Sequence, residues 1–421
     1  MNDDQTAERL VKPPSRPVIA DVLAGLSVAM VLVPQSMAYA ELAGLPPHLG
    51  LFASALPPIL AAFFASSPYL QTGPVALTSL LTFGALAGLA ETGSTDYIAM
   101  AALLALLVGM TRLLLGLLRL GIVTYLMRDP VVTGFTSAAA ILILASQLPK
   151  ALGVTTPNGG VLWQAGWSLS NADQWELTSV AISVVTLGLV LAGRQVVHRL
   201  FPGALLAVVG GVVISRLTDY DGPVVGDVPT GLPSLSANLP WGSTGSLLVG
   251  SVLIALVGFA EPASIARVFA SQDGQRWSAD REFVSQGVAN IASAVSGAFP
   301  VGGSFSRSSL NRMAGAQTRW SGLVTGVAVL AFLPFANVLA PLPRATLGGV
   351  VIAAVIGLVR PVALVVTVRQ SPANALVAWS TFAATLALAP QVEQGVLVGI
   401  LLSLAMGLRT RRTVSQSSGQ P

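Results

Sequence analysis

Residues 299–307 read Phe299-Pro300-Val301-Gly302-Gly303-Ser304-Phe305-Ser306-Arg307 and cut short an apolar run over 283–299. A matching interruption lies in the first half, where Pro68-Tyr69-Leu70-Gln71-Thr72-Gly73-Pro74 precedes an apolar stretch ending at Leu86. In each, an extended piece (Pro68–Gly73; Phe299–Gly303) is expected to lead into a short helix starting at mid-membrane depth. Pro74 suits a first helical position, where its missing N–H is no loss. Ser304 or Ser306 suits the cap of the second helix. Irregular backbone at that depth is tolerated only within protein or beside a water-filled cavity. Paired breaks in two halves point to an inverted-repeat secondary transporter with a midplane site. Two re-entrant loops without a ligand are the plainer alternative.

The rest of the sequence supplies the membrane. Of 421 residues 53% are hydrophobic and only 10% are charged, against about 25% charged in a soluble domain. Apolar stretches long enough to cross alone cover about 20–41, 48–66, 97–118, 131–148, 177–194, 203–217, 245–265, 320–340, 373–389 and 391–408, with a weaker one near 345–358. The net charge of +4 is not gathered into a basic domain, so the cations mark topology rather than nucleic-acid binding. The chain has no cysteine, and its two histidines are His48 and His198. That leaves no thiol nucleophile and no histidine-rich metal or redox centre, and little from which to build an intramembrane enzyme. No cofactor is implied.

Basic residues flank the membrane at both ends, which places both termini in the cytoplasm of a bacterial-type inner membrane. Residues 1–17 form a polar arm without the features of a signal peptide, and 409–421 form a polar tail. Arg112 with Arg119, Arg194 with Arg199, Arg267 with Arg276 and Arg281, and Arg360 with Arg369 fit alternation. Residues 151–175 hold Trp163, Trp167 and Trp175 but no Lys or Arg, and 218–242 hold Asp219, Asp221 and Asp227 without a cation. Both loops are expected outside.

Several ordered motifs make the sequence resemble the sulfate permease (SulP) family of anion transporters. They include Val33-Pro34-Gln35-Ser36-Met37-Ala38-Tyr39-Ala40, Leu42-Ala43-Gly44-Leu45-Pro46-Pro47, Gly134-Phe135-Thr136 and Ser146-Gln147-Leu148-Pro149-Lys150. Glu261 with Ser264-Ile265-Ala266, Gly287-Val288-Ala289-Asn290 and Gly303-Ser304-Phe305-Ser306-Arg307 complete the set. The likeness runs from about residue 20 to 408. It implies an all-α polytopic fold of fourteen spans in two inverted groups of seven, as in uracil-permease-like carriers. Residues 18–121 and 243–343 would form a mobile core, and 122–242 and 344–408 a gate. Most of the family carries a cytoplasmic STAS domain after the last span; the sequence stops right after that span, as expected of either a truncated protein or a short member.

The break residues suggest the chemistry. Two half-helix starts present free N–H groups and partial positive charge to one cavity, an anion site that needs no lysine. Gly73, Val75 and Ala76 stand near the first start; Gly303, Ser304, Phe305 and Ser306 stand near the second. The resemblance adds Gln35 and Tyr39 as cavity-lining partners. Tight packing of small residues is the competing reading. Arg307 is costly in a membrane unless paired or facing water; it either draws the anion or joins an ion pair with a glutamate. Glu261 and Glu41 are coupling candidates, because a buried carboxyl can carry a proton near neutral pH; Glu41 equally suits an interfacial carboxylate. Glu393 reads as structural. The expected partners are a small anion (sulfate, bicarbonate, chloride or dicarboxylate), protons, lipid and, as an assembly, a second copy of the chain. Proton symport by an elevator-like movement leads; exchange, a passive channel and a nucleobase symporter of the same fold are the alternatives.

Overall fold

A computed structural model describes residues 18–122, 129–197, 201–233, 235, 238–359 and 361–417. The expected arm 1–17, the last four tail residues, His198, Arg199 and Arg360 lie outside the described residues. The first half contains α1 (Ile19–Leu42), α2 (His48–Phe64), β1 (Thr72–Gly73), α3 (Ala76–Leu86), α4 (Thr95–Leu117), α5 (Asp129–Leu152), α6 (Val161–Ser170), α7 (Leu177–Val196) and α8 (Gly203–Leu217). The second contains α9 (Thr244–Gln272), α10 (Ala279–Val295), β2 (Gly302–Gly303), α11 (Phe305–Met313), α12 (Trp320–Phe332), α13 (Arg344–Val355), α14 (Pro361–Gln370), α15 (Pro372–Ala387) and α16 (Val392–Ser417). Helix, helix, strand, short helix opens both halves.

The burial pattern is that of a lipid-solvated protein. Leu114, Val185 and Leu401 are among many large apolar side chains turned outward, while Gln71, Asn290 and Glu282 are fully buried. Hydrocarbon accepts the former, and the latter need protein partners. Among the described residues six helical segments are long and apolar enough to cross a membrane, joined by shorter apolar helices such as α2, α3 and α8.

Helix packing falls into two groups. α10 lies against α4 and α2, α12 against α2 and α1, and α9 against α4 and α3. Elsewhere α15 packs on α5 and α16, α13 on α5 and α7, and α7 on α8. The groups meet along thinner seams such as α1 with α13, α1 with α8 and α3 with α16. The densest crossing, α4 on α10, depends on Gly109 and Gly287. A Cβ at Gly109 would lie 2.8 Å from Ile291 N, and one at Gly287 would lie 2.7 Å from Leu113 N. Glycines let the backbones touch.

The structure departs from the sequence reading in several places. α3 begins at Ala76 with Val75 as its cap, so Pro74 precedes the helix instead of opening it. Arg112 is no loop marker: it is fully buried and donates to the carbonyls of Ile254, Ala255 and Val301 at 2.9–3.1 Å. Its charge is solvated by peptide dipoles instead of water. α6 occupies part of the 151–175 loop, and α14 was not anticipated as a separate helix. α16 continues to Ser417, past the expected end of the last span at 408.

Candidate functional site

The two extended pieces meet. Thr72 pairs with Gly303 and Gly73 with Gly302 in an antiparallel ribbon, and Ser304 N–H donates to the Gln71 carbonyl at 3.1 Å. The pairing satisfies backbone groups that would otherwise be stranded at membrane depth. Gly303 is required by close approach: a Cβ there would lie 2.8 Å from Leu70 Cδ1 and 3.1 Å from Pro262.

α10 holds both pieces in place. Gln286 Nε2 donates to Thr72 Oγ1 at 2.7 Å, and Asn290 brackets Val301. The Asn290 amide donates to the Val301 carbonyl at 3.0 Å while its Oδ1 accepts from the Val301 N–H at 2.9 Å. Asn290→Ala is expected to leave that buried N–H unpaired, at a cost of about 1–3 kcal/mol. The loss should appear as a lower melting midpoint of the detergent-purified protein; an unchanged midpoint would show that the break does not depend on this clamp. Gln286 was not singled out in the sequence. An amide inside an apolar helix was its one visible signal.

From the ribbon the half-helices α3 and α11 start toward a shared space. Ser304 caps α11, its Oγ accepting from the Arg307 N–H at 3.5 Å, and Ser306 Oγ lies 3.3 Å from it. Glu261, on α9 beside Pro262 within the helix, accepts from the Phe305 N–H at 3.2 Å through Oε1. A carboxylate therefore sits at the positive end of α11. A cavity of 200 Å³ lies here, with Tyr39, Val75, Ala76, Glu261, Ser304 and Ser306 in its wall. Phe305 lines it too, and Ala354 and Val355 close it from the α13 side.

Gln35, Gly73, Gly303 and Arg307 stand behind this wall. Arg307 is buried; its Nη2 donates to the Pro74 carbonyl at 2.8 Å and its Nη1 to Gln35 Oε1 at 3.4 Å. It ties α11 to the start of the other half-helix and to α1. Among the described residues no carboxylate lies within ion-pair distance of Arg307, so the ion-pair alternative for it is not the arrangement found. Glu41 is apart from the cavity, bound to Lys150 and Arg344. Glu393 is nearly buried in the first turn of α16.

A second cavity of 360 Å³ shares Leu77, Glu261, Phe305 and Leu358 with the first. It runs between α5 (Val132, Thr136) and α9 (Ser264, Val268). This vestibule lies along the part of α9 nearer Gln272, the end that precedes Arg276 and Arg281; the charge pattern assigns that side to the cytoplasm.

Two half-helices that start from one ribbon beside a cavity, inside a multi-pass helical protein, have the architecture of a membrane transporter. The chain belongs to the sulfate permease family, whose sequence profile matches residues 18–381. It is similar to sulfate transporter 4.1, chloroplastic, of Arabidopsis thaliana, with 36% identity over 397 residues, 91% of this chain and 57% of that one. The chain thus spans little more than half the length of that relative. Its fold is similar to that of murine Solute Carrier 26 family member A9 in the inward-facing state (TM-score 0.86, 22% identity, 95% of this chain and 70% of that one). It is also similar to the transmembrane domain of a cyanobacterium bicarbonate transporter, BicA (TM-score 0.77, 22% identity, 93% of this chain and 98% of that one). At these identities the two likenesses concern the fold alone.

Proposed function

We propose that this chain carries small oxyanions across a bacterial-type inner membrane as a proton-coupled secondary transporter. Fourteen spans in two inverted groups, with both termini cytoplasmic, are part of this reading. The group containing α1–α4 and α9–α12 is the moving core, and the group of α5–α8 and α13–α16 is the gate. The name of the Arabidopsis relative, a sulfate transporter, supports the anion class. Backbone N–H groups and serine hydroxyls suit any small oxyanion. Gln35, Tyr39, Gly73, Val75, Ala76 and the stretch Gly303 to Arg307 are its proposed binding residues.

The observation that carries the proton coupling is the Glu261 carboxylate on the Phe305 N–H. That N–H belongs to the helix end an anion would seek. A charged Glu261 competes with the anion for it; a protonated Glu261 does not repel the anion and yields the position. Proton and anion then load together, and uptake rises as the pH on the loading side falls. Glu261→Gln is permanently uncharged, so its uptake should stay nearly flat with pH. Labelled sulfate uptake into proteoliposomes under imposed pH gradients tests this. A variant that keeps the wild-type pH profile would remove Glu261 from coupling.

A further inference from the structure

Among the described residues one ion cluster joins the two helix groups. Glu41, in the last turn of α1, accepts from Lys150 Nζ at 2.7 Å through Oε2, and its Oε1 lies 3.5 Å from Arg344 Nε, which also donates to the Val224 carbonyl at 3.1 Å. Lys150 is in the last turn of α5 and Arg344 is the first residue of α13. The acid therefore comes from one group and both cations come from the other. Glu41 is 9% exposed, while Lys150 and Arg344 are 26% and 46% exposed.

The helix ends work against the acid and the arginine. Glu41 lies at the negative end of α1, and Arg344 adds its charge to the positive end of α13. Placement for helix stability alone would reverse both. The N-terminus of α13 meets the last turns of α1 and α5 here, and it is the two cations that attract an anion; the occupant is a carboxylate. Along α5, Lys150 stands about 27 Å from Val132 at the usual helical rise, and Val132 lines the vestibule. The cluster links the last turn of α1 to the first turn of α13, and Tyr39 of α1 and Val355 of α13 border the cavity.

We propose that Lys150 and Arg344 form an outer receiving site for the transported oxyanion, and that Glu41 is a tethered carboxylate occupying it while the vestibule is open on the opposite side. This deepens the transport reading above and rests on it. When the groups shift, Glu41 withdraws with α1 and the two cations become available. An external anion bound there keeps the carboxylate out and favours the state that admits it.

The test uses labelled inorganic sulfate and reads each face separately, in intact cells and in inside-out vesicles. Glu41→Gln should lower the external half-saturation concentration by about two- to fivefold, the range for half-exposed ion pairs. Lys150→Gln and Arg344→Gln should raise it by about as much. Half-saturation at the cytoplasmic face should stay at the wild-type value in all three. Lys150→Arg keeps the charge and should keep wild-type external affinity, which separates a lost charge from a damaged fold. A shift of all three variants in the same direction would make the cluster a mechanical strap and overturn the receiving site, with the transport reading intact. Equal shifts at both faces would overturn it too. A wild-type protein that moves no sulfate from either face overturns both.

Discussion

Ser304→Trp is expected to abolish transport while the protein still folds. Ser304 lies in the cavity wall at the start of α11, and its side chain is buried. An indole there fills the space in which the two half-helix ends meet. The lost cap costs about 1 kcal/mol, small beside the loss of the site itself. Ser304→Ala removes the cap without adding bulk, so it should retain measurable transport with weakened affinity. A lipid-facing control is needed, and Val184, 61% exposed on α7, serves as Val184→Trp. Ser183, its neighbour, does not serve: it is buried and donates to the carbonyls of Ala151 and Ala345. Uptake and binding of labelled sulfate are the readouts. A Ser304→Trp protein with wild-type uptake would place the anion elsewhere.

Arg307→Ala is expected to weaken anion binding by roughly ten- to a hundredfold. That range corresponds to about 1.5–3 kcal/mol for one charge-assisted contact. Two effects add here. The variant removes a buried positive charge behind the cavity, and it releases the Pro74 carbonyl and Gln35, which fix one half-helix against the other. Arg307→Lys separates them, because it restores the charge without the planar fork. If affinity returns with lysine, the field of the charge holds the anion. Should lysine be as poor as alanine while the melting midpoint also falls, the arginine acts as a tie between half-helices. Wild-type affinity in the alanine variant would remove Arg307 from the site altogether.

The location of the site was legible because a broken helix leaves a chemical trace. Gln71-Thr72-Gly73-Pro74 and Gly302-Gly303-Ser304 are polar and glycine-rich where lipid demands apolar residues, and both proved to be strand followed by short helix. Ser304 as a cap was readable for the same reason, since a hydroxyl before a helix answers a local need. Pro74 was misplaced by two residues because helix starts depend on tertiary partners, here Arg307 on its carbonyl. Arg112 was misread because a cation near the end of an apolar run looks the same whether it faces water or peptide carbonyls.

By itself the sequence determined that lipid is the solvent, that two segments break within it, and which side chains stand at the breaks. These follow from hydropathy and local backbone preference, and both act over a few residues. Only the tertiary structure decided that the breaks pair with each other, that Glu261 sits on the Phe305 N–H, and that Glu41 meets Lys150 and Arg344. Glu261 and Phe305 are separated by 44 positions, and Glu41 and Lys150 by 109. Contacts over such separations are set by which helices pack together and at what depth. That is a property of the packed bundle, and no single stretch of sequence carries it.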